Sequence, residues 1–106
     1  MEEFKVERPL RRPPTHPGEL MREILEEHIR LPVAQAAERL GISRQSLYAV
    51  LNGESRVTAD MALLFSRLVD GAPELYVNMQ AIHDLWHARQ RLKDDLARIE
   101  PYRAEA

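Results

Sequence analysis

Apolar residues recur every three or four positions through most of the chain, the spacing of helices that bury one face. Strand-type alternation of apolar and polar residues is missing, and no internal repeat is evident. The pattern predicts an all-α fold of five helices. These are expected to begin at Pro17, at Val33 after Pro32, at Arg44, at Ala59 and near Pro73, with the fifth continuing to about Ile99.

Local signals mark the ends of these predicted helices. Ser43 and Thr58 are typical N-caps, and Gly41 and Gly71 are expected to end the second and fourth helices. Helical spacing then assigns the core, which we predict to contain Met21, Ile24, Leu25, Val33, Ala36, Ala37, Leu40, Leu47, Val50, Leu51, Met61, Leu64, Phe65 and Leu68.

Length and composition fit one compact domain. Of the 106 residues 44% are hydrophobic and 30% are charged, whereas a disordered chain would contain fewer apolar residues. There is no cysteine, and neither an export signal nor a membrane-spanning run is evident. We therefore expect a soluble, cytoplasmic protein.

Residues 33–52 have the spacing of two helices joined by a tight bend. Ala37 allows the helices to cross closely, Gly41 permits the positive φ of the turn, and Leu47 anchors the helix that follows. The opposite side of that helix is polar, which is typical of a helix that reads the DNA major groove: glutamine pairs with adenine and arginine with guanine. We predict a DNA-binding set of Ser43, Arg44, Gln45, Ser46, Tyr48, Asn52 and Arg56, with Ser43, Asn52 and Arg56 on phosphates.

Charge is distributed unevenly along the chain. The net charge is only −2, although DNA-binding domains are often basic overall. Between residues 39 and 56, however, there are three basic residues, Arg39, Arg44 and Arg56, and only one acidic residue, Glu54. The chain after Arg56 has more acidic than basic residues. The DNA-facing surface should therefore lie in the first half.

The predicted fifth helix carries two apolar stripes. One contains Leu75, Met79, Ile82 and Trp86, and the other contains Leu85, Ala88, Leu92, Leu96 and Ile99. Because so short a chain cannot cover both stripes, we predict that the first forms a homodimer interface. A dimer would also present two recognition helices to two half-sites of an operator.

No catalytic or metal-binding pattern emerges. The segment from His83 to His87 has two histidines one helical turn apart, as zinc proteases do, but Asp84 is too short to replace the glutamate base and no third ligand follows. Gly-rich phosphate loops and nucleophile elbows are missing as well. We predict no metal, no cofactor and no enzymatic activity, and we expect His16 to cap or pack at the entrance of the first helix.

These features divide the chain into three parts. Residues 1–16, rich in proline and arginine, are predicted to form a flexible basic arm. Residues 17–71 form the predicted helix-turn-helix DNA-binding domain. Residues 72–106 are predicted to form a dimerisation helix and a tail.

Four segments of the chain resemble the HigA-type antitoxins, a branch of the Xre/Cro-like helix-turn-helix proteins. They are residues 16–20 (HPGEL), 41–43 (GIS), 57–62 (VTADMA) and 73–80 (PELYVNMQ). The resemblance implies a lambda-repressor-like domain with an extended C-terminal helix. It also implies a dimeric antitoxin that binds operator DNA, represses its own operon and neutralises a HigB-like messenger-RNA endonuclease toxin. The resemblance does not identify the residues that contact the toxin.

Two alternatives stay open at this point. The chain could be a free-standing Xre/Cro-like transcriptional regulator without a toxin partner. It could also be a helical protein-interaction module, an interpretation that the weakly acidic total charge keeps open.

Overall fold

The computed structural model describes residues 12–104, so residues 1–11 of the predicted basic arm lie outside it. Every regular element in the described range is helical, which confirms the predicted all-α fold. In chain order the helices are α1 (Pro17–Glu23), α2 (Val33–Leu40), α3 (Arg44–Leu51), α4 (Ala59–Val69), α5 (Pro73–Arg91) and α6 (Lys93–Arg98).

The first helix changes its geometry before it ends. Pro17 occupies its first turn, where the missing N–H costs nothing, and His16 caps it: His16 Nδ1 accepts the N–H of Gly18 at 2.8 Å. After Glu23 the chain continues as a π-helical turn, Ile24–His28, with the N–H of Ile29 donating to the Ile24 carbonyl at 2.9 Å. The segment ends at Arg30, which has a positive φ of 52°.

The caps expected for the later helices are mostly confirmed. Ser43 Oγ accepts the N–H of Ser46 at 3.0 Å, and Thr58 Oγ1 accepts the N–H of Met61 at 3.1 Å. The role predicted for Gly71 is wrong. Asp70, at φ 59°, is the left-handed residue that ends α4, since an aspartate tolerates this conformation better than most side chains.

The core lies where α1 to α4 meet the first half of α5. Its buried apolar members are Met21, Leu25, Ala36, Ala37, Leu40, Leu47, Val50, Leu51, Val57, Met61, Ala62, Phe65 and Tyr76. Phe65 and Tyr76 meet edge to face, with ring centroids 5.4 Å apart. The predicted burial of Leu64 is wrong: the residue is 42% exposed, because the buried side of α4 runs through Ala62 and Ser66 as well as Met61 and Phe65.

The predicted fifth helix proves to be two helices. α5 ends at Arg91, Leu92 leaves helical geometry at φ −98° and ψ 12°, and α6 follows. Asp94 and Asp95 occupy the first turn of α6, where acidic side chains favour a helix start. Within residues 12–104 none of these helices has the length and apolar character needed to cross a bilayer.

Candidate nucleic-acid interface

The bend between α2 and α3 fixes how α3 is presented. Gly41 adopts φ 76°, which glycine tolerates without penalty. Its N–H donates to the Glu38 carbonyl at 3.2 Å, and the N–H of Ile42 donates to the Ala37 carbonyl at 3.1 Å. Ala37 is buried between the helices. The three roles predicted for Ala37, Gly41 and Leu47 therefore agree with the geometry of the bend.

One side of α3 is buried and the other is polar and exposed. Leu47, Val50 and Leu51 enter the core. On the outer side Arg44, Gln45 and Tyr48 are exposed and line a shallow depression of about 290 Å³. A guanidinium, an amide and a phenol thus lie together on the exposed side of α3, where they can donate and accept hydrogen bonds.

The two serines at the start of α3 are partly occupied by local bonds. Besides capping the helix, Ser43 Oγ donates to Ser46 Oγ at 2.9 Å. Both side chains are exposed beside Arg44 and Gln45. Because a hydroxyl oxygen has two lone pairs, these bonds leave capacity for a further partner.

Asn52 and Arg56, which the sequence assigned to phosphates, are exposed and already have partners. Asn52 Oδ1 accepts from the guanidinium of Arg22, and Arg56 donates to Asp84 Oδ2. Sequence reasoning missed Arg22 and Asp84. Each partner lies about thirty positions away on another helix, so no local spacing signals the pairing.

The N-terminal turn of α1 supports α3 from behind. Gly18 lies directly against the backbone of Val50 in the last turn of α3. His16, whose ring meets the edge of His83 at 5.1 Å, is buried there. Burial, together with the neighbouring His83, holds the pKa of His16 below its ordinary value. His16 therefore caps α1 in its neutral form.

The stripe predicted as a dimer interface lies on α5 beside the side that faces the core. Leu75 and Ile82 are about half exposed, and Met79 and Trp86 are partly buried. The core-facing side of α5 carries Tyr76 and Gln80 instead. The second predicted stripe is largely exposed too, at Leu85, Leu96 and Ile99.

The side chains of residues 12–104 include no cluster of three or more potential metal ligands. His83 and His87, the pair with protease-like spacing, have ring centroids 4.6 Å apart and contact His16 and Trp86 respectively. Both rings therefore pack against aromatic neighbours.

Comparison with known proteins places this geometry in a family. The helix-turn-helix family profile matches residues 21–74, the span from α1 to the start of α5. A helix-turn-helix-type transcriptional regulator of Haemophilus influenzae is 32% identical over 92 residues, which cover 85% of this chain and 86% of the relative.

Two solved structures have the same architecture. An addiction module antidote protein of the HigA family from Coxiella burnetii superposes with a TM-score of 0.77 at 30% identity, over 86% of this chain and all of that one. The antitoxin GraA in complex with its operator superposes with a TM-score of 0.79 at 31% identity, over 94% of this chain and all of that one. The chain therefore belongs to the Xre/Cro-like helix-turn-helix family, in the branch that contains the HigA-type antitoxins.

Proposed function

We propose that this chain is a cytoplasmic, non-enzymatic antitoxin that binds operator DNA as a homodimer and represses its own operon. The observation that carries the proposal is the exposed polar side of α3, where Arg44, Gln45 and Tyr48 project away from the core. Arg44 and Gln45 would read base edges in the major groove. Ser43, Ser46, Asn52 and Arg56 border that surface and would contact phosphates.

The dimer is the second part of the proposal. Leu75, Met79, Ile82 and Trp86 would pack against the same stripe of a second copy, burying side chains that are now partly or half exposed. A twofold dimer places two α3 helices at two half-sites, which matches the pseudo-palindromic operators that paired modules of this kind bind. Residues 72–106 would then serve dimerisation, and residues 17–71 would serve DNA binding.

The third part is neutralisation of a HigB-like messenger-RNA endonuclease toxin. It is supported by relatives that are named antitoxins and antidote proteins. A free-standing transcriptional regulator is the second candidate, because the Haemophilus relative carries that name.

Co-expression distinguishes the two candidates. The reading frame adjacent to the gene, induced alone, is expected to arrest growth, and this chain is expected to restore growth. Gln45→Ala should restore growth as well, because DNA contact is not needed to sequester a toxin. If no neighbouring reading frame arrests growth, the antitoxin function is contradicted and the regulator is favoured.

A further inference from the structure

A continuous run of polar contacts joins α5 to the loop between α3 and α4. Gln80 is 3% exposed, and its Oε1 accepts the backbone N–H of Val57 at 2.7 Å. The same amide donates through Nε2 to Asp84 Oδ1 at 2.9 Å, and Asp84 Oδ2 accepts from the guanidinium of Arg56. Two side chains one helical turn apart on α5 thus hold both the backbone of the loop at Val57 and the side chain of Arg56.

The two ends of this run have different physical roles. The Gln80 end is buried and satisfies a backbone N–H, so it fixes the loop in place. The Asp84 end lies at the surface, where an ion pair contributes little to stability. The hydrogen bond from Arg56, with help from Gln80, lowers the pKa of Asp84, a carboxyl group that is ionised at neutral pH in any case. Its effect should therefore be on where Arg56 points.

Arg56 retains the means to bind a second anion. A guanidinium has five N–H donors in a planar fork, and the contact with Asp84 uses Nη2. The Arg56 side chain is 60% exposed, so the remaining donors are accessible to a phosphate. It follows Asn52 in the loop that leaves α3, beside the surface proposed to face DNA.

We propose that Asp84, itself held by Gln80, is a positioning residue for operator binding. It orients the guanidinium of Arg56 so that one edge stays on α5 while the other meets a backbone phosphate. This inference rests on the proposed DNA-binding function. It also links the helix proposed to form the dimer interface to the loop that follows the recognition helix.

A single substitution of Asp84 would mix two opposing effects. Removal of its negative charge favours approach of DNA, whereas without its orienting contact Arg56 has to be ordered during binding. A double-mutant cycle separates them, because only the second effect depends on Arg56. The cycle uses the wild type, Asp84→Asn, Arg56→Gln and the double variant. Asp95→Asn is the matched control, since Asp95 makes the same type of contact with Arg98 on α6.

The affinity of the full-length protein for the DNA upstream of its own gene is measured at several salt concentrations. Asp84→Asn should weaken specific binding about 2- to 10-fold, the usual cost of ordering one long side chain on binding. In the Arg56→Gln background it should cause no weakening. A plot of log affinity against log salt has a negative slope. Arg56→Gln should make that slope less steep by about 0.9 for each phosphate that the protein no longer neutralises. Asp95→Asn should change neither quantity.

The outcomes separate this inference from the function on which it rests. If the wild type does not bind its upstream DNA specifically, both are contradicted. If it binds, but Asp84→Asn has the same effect with and without Arg56, or is more favourable to binding when Arg56 is present, the positioning role alone is overturned. Arg56→Lys provides a second test, because lysine keeps the charge but lacks the planar fork. It should weaken binding with little change in the salt slope, and an unchanged affinity would contradict the role.

Discussion

Gly18 gives the sharpest test of how α3 is held in place. A Cβ built on Gly18 would lie 2.0 Å from the carbonyl oxygen of Val50, and real Cβ contacts essentially never fall below 3.0 Å. The first turn of α1 and the last turn of α3 would therefore have to separate by about 1 Å. The obstacle is backbone, which cannot rotate away as a side chain would. Gly18→Ala should thus disturb the scaffold of the candidate DNA-binding surface.

Two effects compete in this substitution, and their magnitudes decide whether the free energy of unfolding rises or falls. Helix propensity alone favours alanine over glycine by up to about 1 kcal/mol within a helix. Forcing a group into a packed interior costs about 1–3 kcal/mol, and contact with a rigid carbonyl belongs at the upper end of that range. Gly18→Ala should therefore lower the free energy of unfolding by roughly 2 kcal/mol, the difference between about 3 and about 1.

Gly41→Ala is the matched control, because a methyl group there meets no steric clash but the backbone conformation disfavours alanine. Gly41 has φ 76°, yet no atom lies within 4 Å of its built Cβ, so only backbone strain of about 1 kcal/mol is expected. Urea denaturation followed by circular dichroism gives both free energies of unfolding. If Gly18→Ala leaves stability unchanged or raises it, the close contact between α1 and α3 is refuted.

Two further predictions concern acid stability and assembly. The pKa of His16 is lowered from 6.5, so its contribution to stability is complete above about pH 6.5 and declines as the pH falls below it; the urea midpoint should be lower at pH 5.5 than at pH 7.5. His16→Asn, which caps a helix without titrating, should weaken this pH dependence, and an unchanged dependence would exclude His16 as its source. Ile82→Glu places a charge in the proposed dimer interface and should yield monomers in sedimentation, whereas Val77→Glu, on the opposite side of α5 and also exposed, should not. A dimer that persists in Ile82→Glu would exclude this stripe as the interface.

Features that depend on local chemistry were predictable from the sequence. The caps at Ser43 and Thr58 and the left-handed turn at Gly41 each depend on a few neighbouring residues, and the structure confirms them. The polar outer side of α3 follows from the burial of Leu47 and its helical neighbours.

Features that depend on tertiary packing were not predictable in the same way. α5 carries apolar residues on several sides, so spacing alone could not show that Tyr76 and Gln80 face the core. The break between α5 and α6 at Leu92 could not be predicted, because no glycine or proline lies there. The pairing of Arg56 with Asp84 joins residues that only the folded chain brings together.

We propose that the outer side of α3 recognises operator DNA, and a binding titration tests this proposal. The protein and its Gln45→Ala variant are titrated against the DNA upstream of the gene, with Gln90→Ala, an exposed glutamine near the end of α5, as the matched control. Gln45→Ala should weaken specific binding by about 1–3 kcal/mol for each half-site, and Gln90→Ala should leave it unchanged. Equal affinities for the wild type and Gln45→Ala would contradict base recognition by Gln45, and no specific binding by any of the three proteins would contradict operator binding altogether.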